Sequence, residues 1–297
     1  MLSKTSPSRG PGSPRVIGAY EPRSGSIQYI VVDEATKQAA LIDTVLDFDP
    51  KHARTSTKSA QWALDTIKAE GLTLAWILDT HPHADHLMAS AWLKEQTGAP
   101  TVIGEKVRDI AKLWRRIYNL PGEFETERTF DRLVLDGETL PLGDLEIRVM
   151  LSPGHTLGSV TYVVGDAAFV HDTFMQPDVG TTRADFPGGS ARDLYRSLQA
   201  ILALPEDTRV FEGHDYGTKE RKEPAWEATV REHRERNKHV GGGVSEETFV
   251  RLREQRDAVL DLPDRMLHAL QVNLRGGRLP EPEDDGHCYL KIPVNKF

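Results

Sequence analysis

Residues 79–90 read DTHPHADHLMAS and place His81, His83, Asp85 and His86 within six positions. They follow LTLAWIL (72–78), an apolar run that reads as a buried strand. At an extended strand end, side chains at i and i+2 point the same way, so His81 and His83 are predicted to reach one metal ion. Once the chain turns toward a helix, Asp85 and His86 are redirected to a neighbouring position. Three further candidates close other strands: His155 in SPGHT, Asp172 in FVHDTF and His214 in EGHDY. Imidazole and carboxylate suit zinc, iron or manganese, and the lack of thiolate excludes a structural cysteine-zinc site. A lone histidine at a strand end is ordinarily a hydrogen-bonded structural residue. The dense HxHxDH spacing with three strand-end partners favours a metal centre.

The elements that must position these residues follow from periodicity and turn chemistry. Two apolar runs around EATKQ predict a hairpin over 27–43, and a helix over 58–71 stops at Gly71. After the histidine cluster a second helix runs to Gly98, and PTVIGE returns as a strand. Beyond residue 130, short strands joined by DG and GD turns lead to a hairpin, GSVTYVVGDAAFVHDTF, with Asp166 in its turn. SARDLYRSLQAILALP (190–205) opens with a Ser-x-x-Asp cap and reads as a helix. TRVFEGHD is a further strand, and helices are predicted near 222–239 and 245–260, before a Pro-rich tail. Strands and then helices, in two successive halves, predict an α/β sandwich of two sheets with helices outside.

Three regions are expected. Residues 1–14 carry Pro7, Gly10, Pro11, Gly12 and Pro14 and predict a disordered tail. Residues 15–240 form the catalytic domain. Residues 241–297, opening on a glycine run at 241–243, form a C-terminal helical extension and tail packed on that domain. The net charge of −8 argues against a nucleic-acid partner. No apolar run approaches the ~18 residues of a membrane span. A single cysteine, Cys288, excludes an intrachain disulfide and suits a reducing cytoplasm. A homodimer is left open.

The series THPHADH, PGHTLGS, an Asp after a strand, then GHDY resembles the metallo-β-lactamase fold over roughly residues 15–240. That resemblance implies an αββα sandwich with the metal site on one edge of the two sheets. Its flavodiiron branch has Glu at the place of His83, and its nucleases carry basic surfaces that this charge does not match. TGAPTVIGEKV, FVHDTF, TTRADFPGGSARDLYRS, FEGHDY and QVNLRGG are similar to the persulfide dioxygenases, including bacterial β-lactamase-like hydrolases. Glyoxalase II usually has His-Glu-Tyr where this chain has His214-Asp215-Tyr216.

The resemblance implies one Fe(II) per chain on His81, His155 and Asp172, with glutathione persulfide and O₂ as substrates and sulfite and glutathione as products. His83, Asp85, His86 and His214 would then support those ligands. The alternative is a dinuclear zinc thioester hydrolase resembling glyoxalase II, using all seven residues with Asp172 bridging. A non-catalytic metal-binding domain is the third reading. The mitochondrial sulfur dioxygenase has a cysteine where Gly276 stands here, so a thiol role at that position does not carry over.

Supporting residues have two readings each. Arg183 matches a family arginine and would pair a glutathione carboxylate, or else be a structural partner of Asp185 or a loop carbonyl. Tyr216 would donate its hydroxyl to substrate sulfur or oxygen, or simply pack. His171 stands where the wider fold usually has Gly, and strand alternation sends it to the core. Trp114, Tyr118 and Leu120 read as core packing or a pocket mouth, and 231–239 as a solvated basic helix face. Cys288 is expected to be buried or idle.

Overall fold

Ser26–Val32 (SIQYIVV) is buried along its whole length. Ile27, Tyr29 and Val31 enter one core cluster, while Ile30 and Val32 enter another. Alternate side chains leave a strand on opposite faces, so such a strand must lie between two layers. The computed structural model describes residues 1–297 and builds those layers from two large sheets. The first runs in spatial order Leu2–Ser6, Arg15–Glu21, Ser26–Val32, Gln38–Ile42, Thr73–Leu78, Thr101–Gly104, Arg132–Val134. The second runs Thr139–Leu142, Leu145–Leu151, Val160–Val164, Ala167–His171, Arg209–Glu212, Glu227–Thr229.

The central core joins both inner faces, with Ile27, Tyr29 and Ile42 against Ile147, Tyr162, Phe169 and Phe211. Outside the first sheet, Ala60, Ala63, Leu64 and Ile67 of helix Lys58–Ala69 pack on Ile30, Leu41 and Ile77. Outside the second, Leu194, Leu198 and Ile201 of helix Ala191–Leu202 pack on Ala168, Val170 and Val210. This is the expected αββα sandwich. The hairpins and turns also fall where turn chemistry placed them. Gly98 ends helix Ser90–Thr97 in the left-handed region (φ 74°), and Ser190 caps Ala191–Leu202 by accepting from the Asp193 N–H. No helix is long and apolar enough to cross a membrane.

The expectation of a disordered tail over 1–14 is wrong. Leu2–Ser6 pairs antiparallel with Arg15–Glu21, Leu2 opposite Tyr20 and Ser6 opposite Val16, and the prolines and glycines occupy the connection. What fixes that connection is Arg209, 1% exposed, at the start of its strand. Its guanidinium donates to Ser6 Oγ (2.9 Å), Pro14 O (2.9 Å) and Asp166 Oδ1 (2.8 Å). Arg209→Ala removes a buried cation from several acceptors and should cost about 3 kcal/mol, a fall in Tm of roughly 6 °C or more. Burial alone would raise the Asp166 pKa, but Arg209 holds it below the usual carboxylate range. That part of the stability is present above about pH 4 and lost as pH falls through the folded value. Melting curves at pH 7 and pH 3 should therefore show the gap between wild type and variant shrinking in acid.

Two further departures concern helices. The one predicted near 222–239 is only Val230–Arg236, because Thr229 and Glu232 form a capping box there and Glu227–Thr229 is a strand. Helices Val107–Tyr118 and Met266–Asn273 have no counterpart in the sequence reading. Trp114 and Tyr118 are core residues of the first. Arg231, Arg234 and Arg236 face solvent and pair with Glu206, Asp207 and Glu232, as a solvated face would. Cys288 is exposed, which removes the buried alternative.

Candidate metal centre

All seven predicted ligands meet at one edge of the sandwich. Thr73–Leu78 delivers the 79–86 loop, Leu145–Leu151 leads into His155, Ala167–His171 into Asp172, and Arg209–Glu212 into His214. Every one of the five histidines is at most 4% exposed. Donor atoms of His81, His155 and Asp172 all lie within 4.8 Å of one another. The Nε2 atoms of His81 and His155 are 3.8 and 3.5 Å from Asp172 Oδ2. His83, Asp85 and His86 form a second such set, and Asp85, Asp172 and His214 a third.

His81 and His83, expected to reach one ion, lie side by side with ring centroids 4.2 Å apart but fall in different donor sets. The cause is Asp43, whose Oδ1 takes His83 Nε2 at 3.0 Å and also accepts the Thr80 N–H at 2.8 Å. Burial would lower His83, but the Asp43 carboxylate raises it to about 9. Asp79, packed against the same group, is pushed up to about 7 by burial and by the Asp43 charge.

Three of the other imidazoles, His81, His155 and His86, are shifted the other way. Burial and neighbouring imidazoles hold His81 well below its ordinary value; burial lowers His155, and takes His86 to about 4. His155 Nδ1 bonds Arg183 O at 3.0 Å, and His86 Nδ1 bonds Leu87 O at 3.0 Å. Each carbonyl takes the ring N–H and leaves Nε2 as the lone pair, the arrangement a metal ligand requires. His214 is the opposite case. It bridges Asp172 and Asp85, and the two carboxylates raise it well above the ordinary value against the effect of burial. Burial pushes Asp172 up, but His214 holds it well below the carboxylate range.

The donor set fits a cation. His81 Nε2 and His83 Nδ1 are buried without any hydrogen-bond partner, at positions flanked by Asp172 and Asp85. A buried imidazole nitrogen left unpaired is costly unless something binds it.

A cavity of about 390 Å³ opens on this edge, lined by His155, Asp172, His214, Tyr216 and Phe186 among others. Arg183 lines it with its charge already paired. It donates to both Asp185 oxygens (2.6 and 2.7 Å) and to Asp261 O (2.6 Å), over the Phe186 ring. Tyr216 is 65% exposed and stacks on His214 at 5.7 Å. It also rests on Gly25 (φ 77°), where a Cβ would come within 2.7 Å of the ring.

Several residues of the site had no signal in the sequence. Helix Glu246–Asp257 brings Arg253 and Arg256 to the cavity, one helical turn apart. Arg253 is paired with Asp257 and bonds Thr181 O, whereas Arg256 is exposed with no carboxylate partner. His171, as strand alternation implied, is buried beside His81 rather than in the cavity. It takes a left-handed φ of 44°, held by Thr173 Oγ1 (2.8 Å) and Ser152 Oγ (3.2 Å). The strain such a residue carries, roughly 1–3 kcal/mol, is consistent with a position where glycine is the easier choice.

The sequence matches the Metallo-beta-lactamase superfamily over residues 23–214. A Beta-lactamase hydrolase-like protein of Xylella fastidiosa is 56% identical over 283 residues, covering 95% of this chain but only 65% of that protein's length. Glyoxylase B2 of Dictyostelium discoideum is 43% identical, covering 93% of this chain and 95% of that protein. The human mitochondrial persulfide dioxygenase ETHE1 is 30% identical, covering 90% of this chain and 91% of that protein. Among solved structures, ETHE1 from Myxococcus xanthus superposes with a TM-score of 0.70 at 30% identity, covering 88% of this chain and 98% of that one.

Proposed function

The chain belongs to the metallo-beta-lactamase superfamily, and from that premise we propose that it is an iron-dependent persulfide dioxygenase. Its substrates would be glutathione persulfide, O₂ and water, and its products sulfite, glutathione and two protons. The sulfane sulfur loses four electrons, and O₂ accepts them. The observation that carries this reading is the closure of His81, His155 and Asp172 as a two-histidine, one-carboxylate set while Asp43 engages His83. Such a set leaves coordination positions open, where bound Fe(II) would hold a persulfide sulfur beside O₂ and relay electrons from the one to the other. The likeness to the ETHE1 proteins supports the same choice.

The chain's own groups would do the rest. Arg183 O and Leu87 O fix the tautomers of His155 and His86. Phe186, Met175 and Leu260 line the cavity and would limit water at the reacting sulfur. Tyr216 would donate its hydroxyl from the mouth. Arg256, with no acid of its own, would pair a glutathione carboxylate, a task Arg183 can share only by leaving Asp185.

A second reading rests on Asp85, Asp172 and His214, which also converge within 4.8 Å. With His83 and His86 they could hold a second ion, and a two-zinc site would activate water against a thioester. The names of the Xylella and Dictyostelium relatives fit a hydrolase.

Elemental analysis of protein purified without added metal, with oxygen-electrode assays on the same sample, separates the two. About one iron per chain with persulfide-dependent O₂ uptake supports the dioxygenase. Two zincs, no uptake after anaerobic Fe(II) loading, and hydrolysis of S-lactoylglutathione would replace it with the hydrolase.

A further inference from the structure

The motif QVNLRGG near the C-terminus lies far in sequence from every candidate ligand. In the fold it lies against the loop that carries four of them. Asn273, the last residue of helix Met266–Asn273, is 0% exposed. Its amide nitrogen donates to His83 O at 2.7 Å and to His86 O at 2.8 Å. Its oxygen accepts the Met88 N–H at 2.8 Å. One carboxamide thus satisfies three backbone groups of a six-residue stretch that has no regular structure between His83 and His86.

The two glycines continue the contact. Gly276 O accepts the Ala91 N–H at 3.0 Å. Gly277 takes φ 90°, and a Cβ there would lie 2.3 Å from Met88 O. A larger residue at 277 would push the same loop away. The pattern Asn-x-x-Gly-Gly therefore has a physical reading as a complement to the backbone of residues 83–91.

We propose that Asn273 is a positioning residue of the metal centre, clamping the loop that carries His81, His83, Asp85 and His86 through three hydrogen bonds from the last helix. This rests on the reading that the histidine–aspartate cluster holds a metal. It does not depend on which reaction follows. A buried amide can be read as a mere staple for docking the helix. The staple role predicts lost stability alone; the clamp predicts lost metal affinity in protein that is still folded.

Asn273→Asp keeps the size and the acceptor for Met88 but offers no donors to the two carbonyls. Gln271→Ala is the control, since Gln271 sits on the same helix and bonds Leu267 O, Lys291 O and the Lys291 N–H, away from the loop. Co(II) alone is the probe, with affinity measured by chelator competition and ligand geometry by its visible absorption, well below the melting temperature. N273D should bind Co(II) roughly 10- to 100-fold more weakly with an altered spectrum, and Q271A should lose stability but keep affinity and spectrum. If N273D does not fold, Asn273→Ser, which keeps one donor, takes its place with an intermediate loss expected. N273D or N273S with wild-type affinity and spectrum overturns the clamp, as does an equal loss in Q271A. If the wild type itself binds no Co(II), the metal reading fails, and the clamp fails with it.

Discussion

His155→Ala should lower persulfide-dependent O₂ uptake to about a thousandth of wild type or less and strip most of the bound iron. His155 supplies one of two imidazoles in the set with His81 and Asp172, and its Nε2 lies 3.5 Å from Asp172 Oδ2. A thousandfold loss is about 4 kcal/mol, within the several kcal/mol that a metal contributes at a reacting centre. The fold should survive. Alanine leaves only Arg183 O and the Thr182 hydroxyl without their ring partner, beside a cavity that admits water. His86→Ala is the informative companion. Its Nδ1 bonds Leu87 O, and it belongs to the set with His83 and Asp85. With one iron on the first set, H86A keeps about one metal per chain and a measurable rate. With two zincs, it loses a metal and the hydrolase rate together. H155A retaining iron and uptake near wild-type levels would sink the assignment of the site.

The sequence made the ligand set legible because each member closes an apolar run that reads as a strand, and because HxHxDH packs four donors into one turn. The α/β sandwich was equally open to reading. Ser26–Val32 is apolar on both faces, and Gly98 and Ser190 mark helix ends by their own chemistry. What stayed hidden depends on distant partners. Leu2–Ser6 is polar and rich in serine, and its place is set by pairing and by Arg209, about 200 residues away. Asp43 carries no pattern of its own; it matters only because folding brings it against His83 and Thr80. Arg253 and Arg256 look like two charges on a solvated helix until Glu246–Asp257 is laid over the cavity. Periodicity reports which face of an element is buried. It does not report which polar side chains that burial joins.

Asp43→Ala should be the most destabilising single change at the site, by roughly 3–5 kcal/mol, because it strands several buried partners at once. Asp43 is 3% exposed. Its carboxylate accepts the Thr80 N–H and the Thr80 hydroxyl, each at 2.8 Å, and takes His83 Nε2 at 3.0 Å. It also stands at φ 52°, a left-handed conformation that Asp and Asn tolerate and alanine resists. Asp43→Asn separates the contributions. It keeps the left-handed residue and one acceptor for Thr80, and loses only the charge and one acceptor, so about 1–2 kcal/mol is expected. Differential scanning calorimetry of metal-free protein should therefore rank wild type above D43N and D43N above D43A, with D43A lower in Tm by roughly 6 °C or more. Function should follow the same order as stability. His83 and His81 have ring centroids 4.2 Å apart, so freeing His83 in D43A disturbs its neighbour, whereas the D43N oxygen in the Oδ1 position still takes both the Thr80 N–H and His83 Nε2, without the charge. Iron binding should therefore weaken clearly in D43A and less in D43N. A D43A protein melting within a degree of wild type would show that the carboxylate does not hold the start of the ligand loop. A D43A protein with unchanged iron affinity would show that the orientation of His83 is irrelevant to the first set.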